Sequence, residues 1–180
     1  LSINKICDRR ILEALFLGKS RSNIKLRITM DAQLTSNEIN VARELLGNYA
    51  PAKHALDVLE KHNGNCDTSF DELWIETNGV VVMPEGKSLW QTTLKVLRQE
   101  LCGDEGFRGQ LKEYTKNPGS TPLLTGLIVS LVGVAAAHGL PLDPAIATVV
   151  VLYILKIGLN IFCDYTEPPA GNSGTLPPAN

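Results

Sequence analysis

Apolar and polar positions are interleaved on a helical period through most of the first 119 residues, and then the polar positions stop. Between residues 122 and 163 only Asp143 and Lys156 are charged at neutral pH. A tract this apolar has to leave water. It is either a helical hairpin in a lipid bilayer or the centre of a helical core.

The tract has punctuation. Thr121-Pro122 reads as a helix start: the hydroxyl can cap a free N–H, and proline at the first helical position has no N–H to satisfy. His138-Gly139, followed by Pro141, reads as a stop, and Asp143-Pro144 as a second start. Glu167-Pro168-Pro169 closes the unit. The pattern predicts two helices, about 122–138 and 144–163, antiparallel because the loop between them is short. A straight membrane span needs roughly 20 apolar residues. The second helix meets this length. The first, at about 17, falls short by an amount that a thinned bilayer accommodates.

Lys156 lies about two turns from the expected end of the second helix, where its ammonium can snorkel to the membrane edge. Lys112 and Lys116 before the hairpin, with Asp164 and Glu167 after it, give a weak positive-inside asymmetry. On the first helix Gly126, Ser130, Gly133 and Ala137 follow one another at spacings of four, three and four, so they share a face. Small faces of this kind let membrane helices approach closely, and they serve the same purpose in a dense soluble core.

Upstream, Ile3, Ile6, Cys7, Leu12, Leu15 and Phe16 predict a helix over 2–18 that ends at Gly18. Ile24, Leu26, Ile28 and Met30 alternate with polar residues as in a half-buried strand, and Val80–Met83 is a second strand candidate. Thr35-Ser36-Asn37-Glu38 is a capping box, with Leu34 and Ile39 as its hydrophobic staple. The helix it opens should run to Leu46 and stop at Gly47. A further helix should start near Pro51 and end at Asn63-Gly64. The next, capped by Asp67, should turn Phe70, Leu73 and Trp74 inward. A helix over 88–102 and a shorter one after Gly103-Asp104 complete the polar part, which breaks at Asn117-Pro118-Gly119.

Composition adds bounds. With 180 residues the chain holds one or two small domains. A net charge of -2 gives no reason to expect nucleic acid. Cys7, Cys66, Cys102 and Cys163 are far apart and form no C-x-x-C pair, so reduced, mostly buried thiols are expected, which favours a cytosolic face. The opening LSINKICDRR is charged and lacks the apolar stretch of a signal peptide.

Candidate chemistry is sparse. His54 and His62, eight apart, would sit about 12 Å from one another on a helix, too far to share a metal. They and His138 read as surface or helix-terminal histidines. The glycines 103, 106 and 109 lack the Lys-Ser/Thr of a phosphate loop and read as helix punctuation. Asp104 and Glu105 suit a first helical turn. No residue is assigned a catalytic, cofactor-binding or metal-binding role.

The stretch LLGNYAPAKHALDVLEKHNGNCDTSFDEL, residues 45–73, resembles the three-helix ubiquitin-associated and CUE-like modules. Its Leu-Gly-Asn-Tyr turn stands where those modules carry Met-Gly-Phe, and Asn48 replaces the aromatic residue expected after the glycine. The resemblance implies a three-helix unit over 34–77 and, in the family, ubiquitin binding; a generic helical packing unit is the alternative. In general style, a small helical module ahead of an apolar hairpin, the chain is similar to accessory proteins of bacterial conflict systems that accompany caspase-like proteases.

The expectation is therefore a mainly α protein. Residues 1–119 form a helical domain with two short strand candidates, 120–166 an antiparallel apolar hairpin, and 167–180 a tail without fixed structure. The function expected is that of a non-enzymatic adaptor, an effector or anchor in a bacterial defence or stress system. Its hairpin would insert into a lipid bilayer, with the helical domain in the cytoplasm, a protein partner, self-association through Gly126, Ser130, Gly133 and Ala137, and no cofactor. The alternative is a soluble, cytoplasmic, all-helical interaction module with the hairpin buried in its core.

Overall fold

The computed structural model describes residues 33–85 and 88–165. The expected helix 2–18, the strand candidate Ile24–Met30 and the tail 167–180 lie outside the described residues. Eight helices follow one another: α1 (Ser36–Leu46), α2 (Ala50–Lys61), α3 (Cys66–Asn78), α4 (Leu89–Leu101), α5 (Glu105–Lys116), α6 (Thr121–Ala137), α7 (Pro144–Ile157) and α8 (Leu159–Tyr165).

Most helix ends are made by local chemistry. The capping box closes in both directions: Thr35 Oγ1 accepts from Glu38 N–H, and Thr35 N–H donates to Glu38 Oε2 at 2.7 Å. Ser88, Asp104 and Asp143 cap α4, α5 and α7 through their side-chain oxygens. Two expected caps move. Asn65, not Asp67, caps α3 by accepting from Thr68 N–H, and Asp67 falls in the first turn beside Ser88. Ser120, not Thr121, caps α6.

No strand forms among the described residues beyond an isolated antiparallel bridge between Gln33 and Asn65. Val80–Met83 has no regular secondary structure, and nothing described pairs with it. Strand propensity needs a neighbouring strand to be realised, and the described residues offer this segment none.

The centre of the fold is α7. All eleven residues from Ala145 to Leu155 are buried. Helices α2, α3, α6 and α8 pack around it. A helix that is apolar on every side has no face to offer water, so enclosure is its stable state in an aqueous protein. The covering helices are amphipathic. For example, α2 turns Ala52, Ala55, Leu56, Val58 and Leu59 inward, and α4 turns Trp90, Leu94, Leu97 and Leu101. An aromatic chain joins α3, α4 and α7: Trp74, Phe70, Trp90 and Tyr153 stack or meet edge-on at centroid distances of 5.6, 5.2 and 5.0 Å. The buried cluster runs without interruption from Leu34 to Phe162, across the Asn117–Gly119 break.

The first hairpin helix has its expected length, and the second departs from it. The second helix ends at Gly158, whose φ is +85°, and the chain restarts as α8. That leaves 14 residues in α7 and 17 in α6, about 21 and 26 Å at 1.5 Å per residue. A bilayer core is about 30 Å thick. No helix among the described residues is long and apolar enough to cross a membrane, so the expectation of a spanning hairpin finds no support in the fold.

Candidate functional site

The lone cation of the apolar tract has a partner far away in sequence. Lys156 Nζ donates to Glu38 Oε2 at 3.0 Å and to the Gln33 carbonyl at 2.6 Å. Both side chains are largely covered, at 17% and 22% exposure. The same carboxylate oxygen serves the capping box of α1, so the end of the central helix is tied to the start of the first. Burial pushes the Glu38 carboxyl up, but the Thr35 N–H and Lys156 outweigh it, and the net value is lowered. Lys156, expected at a membrane edge, sits instead at a cleft between α1, α5, α6 and α7 lined by Leu34, Val41, Leu45, Tyr114 and Leu124. The cleft has room for about 30 Å³. A small-molecule pocket holds about 300 Å³ or more, so this cleft does not accommodate a substrate.

The small residues of α6 lie away from the core. Its buried stripe is Leu124, Leu127, Ile128, Leu131 and Ala135. Gly126 and Ser130, on the other side, are half-buried, and Gly133 and Ala137 are exposed. A methyl added at Gly133 would meet nothing within 4 Å, and one at Gly126 would reach only Gln110 Oε1 at 4.0 Å. The four residues do share a face, but that face points outward.

Each histidine meets a glutamate from another helix. His54 pairs with Glu76 at 2.7 Å and His138 with Glu100 at 2.9 Å. His62 and Lys61 share Glu72 Oε2 at 2.7 Å each. Hydrogen bonds from Lys61 and His62 hold the Glu72 carboxyl below its ordinary value. Among the described residues no group of three or more His, Cys, Asp or Glu side chains is placed to hold a metal ion. Burial, and then the neighbouring Asp67 charge, push the Asp71 carboxyl up.

The cysteines divide. Cys66 is a free thiol, fully buried, with its pKa pushed up to about 12 by burial. Cys102 and Cys163 are joined in a disulfide between the end of α4 and α8. This corrects the expectation of reduced thiols at those two positions and removes the argument for a cytosolic face that rested on it. A spacing of 61 residues concealed a meeting that depends on the break at Gly158.

One surface stands out by its chemistry. Among the described residues the large apolar side chains that face solvent are Ile75, Val80, Val81, Val82 and Val129, and four of these five gather at the end of α3 and the segment after it. Val80 and Val82 are 79% and 92% exposed. From Val80 to Met83 the backbone makes no hydrogen bond to the described residues. The hairpin loop buttresses this end of α3: Asn78 Nδ2 donates to the Pro141 carbonyl and Thr77 Oγ1 to Asp143 Oδ2, both at 3.2 Å. Burial and then the Asp143 charge push the Tyr49 hydroxyl pKa up. Comparison with family models, curated proteins and solved structures finds no match to this chain.

Proposed function

We propose that the chain is a non-enzymatic helical interaction module whose apolar hairpin is its structural centre, and that it engages a protein partner through Val80–Met83 and Ile75. The observation that carries this is the distribution of apolar side chains. Eleven consecutive residues of α7 are enclosed, while the exposed apolar side chains concentrate at one corner.

A segment with exposed β-branched side chains and no backbone hydrogen bond to the described residues suits strand addition. The partner it suits supplies an extended segment of its own, with apolar side chains at alternate positions. This reading does not draw on ubiquitin binding, because Asn48 stands where the resembled modules carry an aromatic residue.

The test has two arms. Purified without detergent and mixed with vesicles of phosphatidylcholine and phosphatidylglycerol, the protein should stay behind when the vesicles float. Co-flotation would overturn the enclosed-hairpin reading. Val80→Lys with Val82→Lys should leave the urea midpoint unchanged and abolish a discrete cross-linked product formed by the wild type in its native cells. A product unaffected by the two lysines would refute the proposed surface.

A further inference from the structure

The disulfide sits where it governs the hairpin. Its two cysteines bracket α5, α6 and α7, so the entire apolar tract lies inside the covalent loop. One end is the C-cap of α4. The other is on α8, seven residues long, which follows the positive-φ break at Gly158 and packs on α7. Besides the disulfide, α8 is held by Phe162, which is fully buried, and by Arg98 Nε donating to the Cys163 carbonyl at 3.0 Å. Cys102 and Cys163 are both half-buried, unlike Cys66. A reductant can reach a bond at the rim that it could not reach in the core.

We propose that Cys102–Cys163 is a redox-operated clasp: a dithiol reductant opens it, and α8 then turns away on Gly158 and uncovers the end of α7. This rests on the reading that the hairpin is held in the core. In the chemical step a thiolate of the dithiol attacks one sulfur of the bond, and the other cysteine leaves as a thiolate that takes up a proton. The second thiol of the reductant then attacks the mixed disulfide. The reductant ends as a disulfide and the protein as two thiols, with two electrons transferred. The joint on which α8 would turn is Gly158, whose φ of +85° ends α7 and sets α8 off from it. The apolar side chains uncovered, Phe162 foremost, are what couple the redox state to a change of surface.

The test is amide hydrogen exchange on the full chain, oxidised and after dithiothreitol without denaturant, with mass analysis of alkylated Cys102 and Cys163 to confirm opening. Exchange across residues 159–165 should speed up about ten-fold or more on reduction, while residues 36–78 change by less than about two-fold. The Cys102→Ser/Cys163→Ser variant should match the reduced pattern in both buffers. If 159–165 exchange equally in the two states, or if the bond opens only in denaturant, the disulfide is a passive staple and the clasp is refuted. Uniform loss of protection throughout the chain also refutes it, since only global stability has then changed. Fast exchange of residues 145–155 in the oxidised protein would instead overturn the enclosed-hairpin reading, and the clasp with it.

Discussion

The Lys156–Glu38 pair is the sharpest test of how the hairpin is held. Exposed ion pairs contribute roughly 0–1 kcal/mol, whereas breaking a fully buried one costs about 3–5 kcal/mol. With side chains 17% and 22% exposed, this pair lies between those cases. Lys156→Met removes the donor to both Glu38 and the Gln33 carbonyl, but Glu38 keeps its bond from Thr35 N–H. The single substitution should cost about 1–2 kcal/mol, and Glu38→Gln about 1 kcal/mol. Their coupling in a double-mutant cycle should be about 1 kcal/mol.

Urea unfolding followed by tryptophan emission measures it, because Trp74 and Trp90 are both buried in the core. The pH dependence has a definite sign. The folded-state value of Glu38 is below the unfolded one, near 4.5, so its contribution is complete above that value. It is lost as the pH falls through the lowered folded value. Coupling should therefore be complete at pH 7 and shrink only as the pH falls below 4.5, through the lowered folded value. Coupling under about 0.3 kcal/mol at pH 7 would show that Lys156 and Glu38 are adjacent without being linked.

Three further outcomes follow from single positions. Gly64 has φ +82°, and a methyl there would lie 1.8 Å from the Leu34 carbonyl oxygen; Gly64→Ala should destabilise by about 2–4 kcal/mol, and a thermal midpoint within error of wild type would contradict the geometry. Gly133→Ala meets open space inside a helix and should be neutral or stabilise by up to about 1 kcal/mol; a clear loss in the same melt would mean that the outward face of α6 is packed after all. Cys66, whose thiol pKa is near 12, should resist iodoacetamide at pH 8 until urea unfolds the chain, and peptide mass mapping that finds it alkylated in native buffer would refute its burial.

What could be read in advance was what is local. The Thr35–Glu38 box and the Asp143-Pro144 start are decided by residues within one turn, and both are present as expected. Where two cap-forming residues compete at short range, as Asn65 and Asp67 do, the pattern alone does not choose; the winner is the one whose oxygen meets a free N–H once Gly64 has set the turn. The break at Gly158 was hidden for a different reason. Apolar periodicity marks helix boundaries through loss of a face, and a segment apolar on every side has no face to lose. The remaining misses are long-range. The Lys156–Glu38 pair spans 118 residues and the disulfide 61, and neither separation carries a local signal.

The nearly uncharged tract posed a choice between lipid and protein as its non-aqueous surroundings, and length together with cover favours protein. A hairpin meant for a bilayer needs two helices of spanning length and can leave their outer surfaces bare, since lipid covers them. Here α7 is too short to span and is enclosed by its own chain along its length. Its partner α6 is enclosed on one side only: it carries no charged residue, yet Val129 is 57% exposed and Gly133 is open. The two helices therefore have different jobs despite equal apolarity. One supplies the core against which α2, α3, α6 and α8 fold. The other closes that core with its leucine and isoleucine stripe and turns small side chains outward, where each exposes little apolar area to water. Small residues on α6 thus limit the penalty of an uncharged exposed face, which accounts for their shared side without requiring a second helix against them.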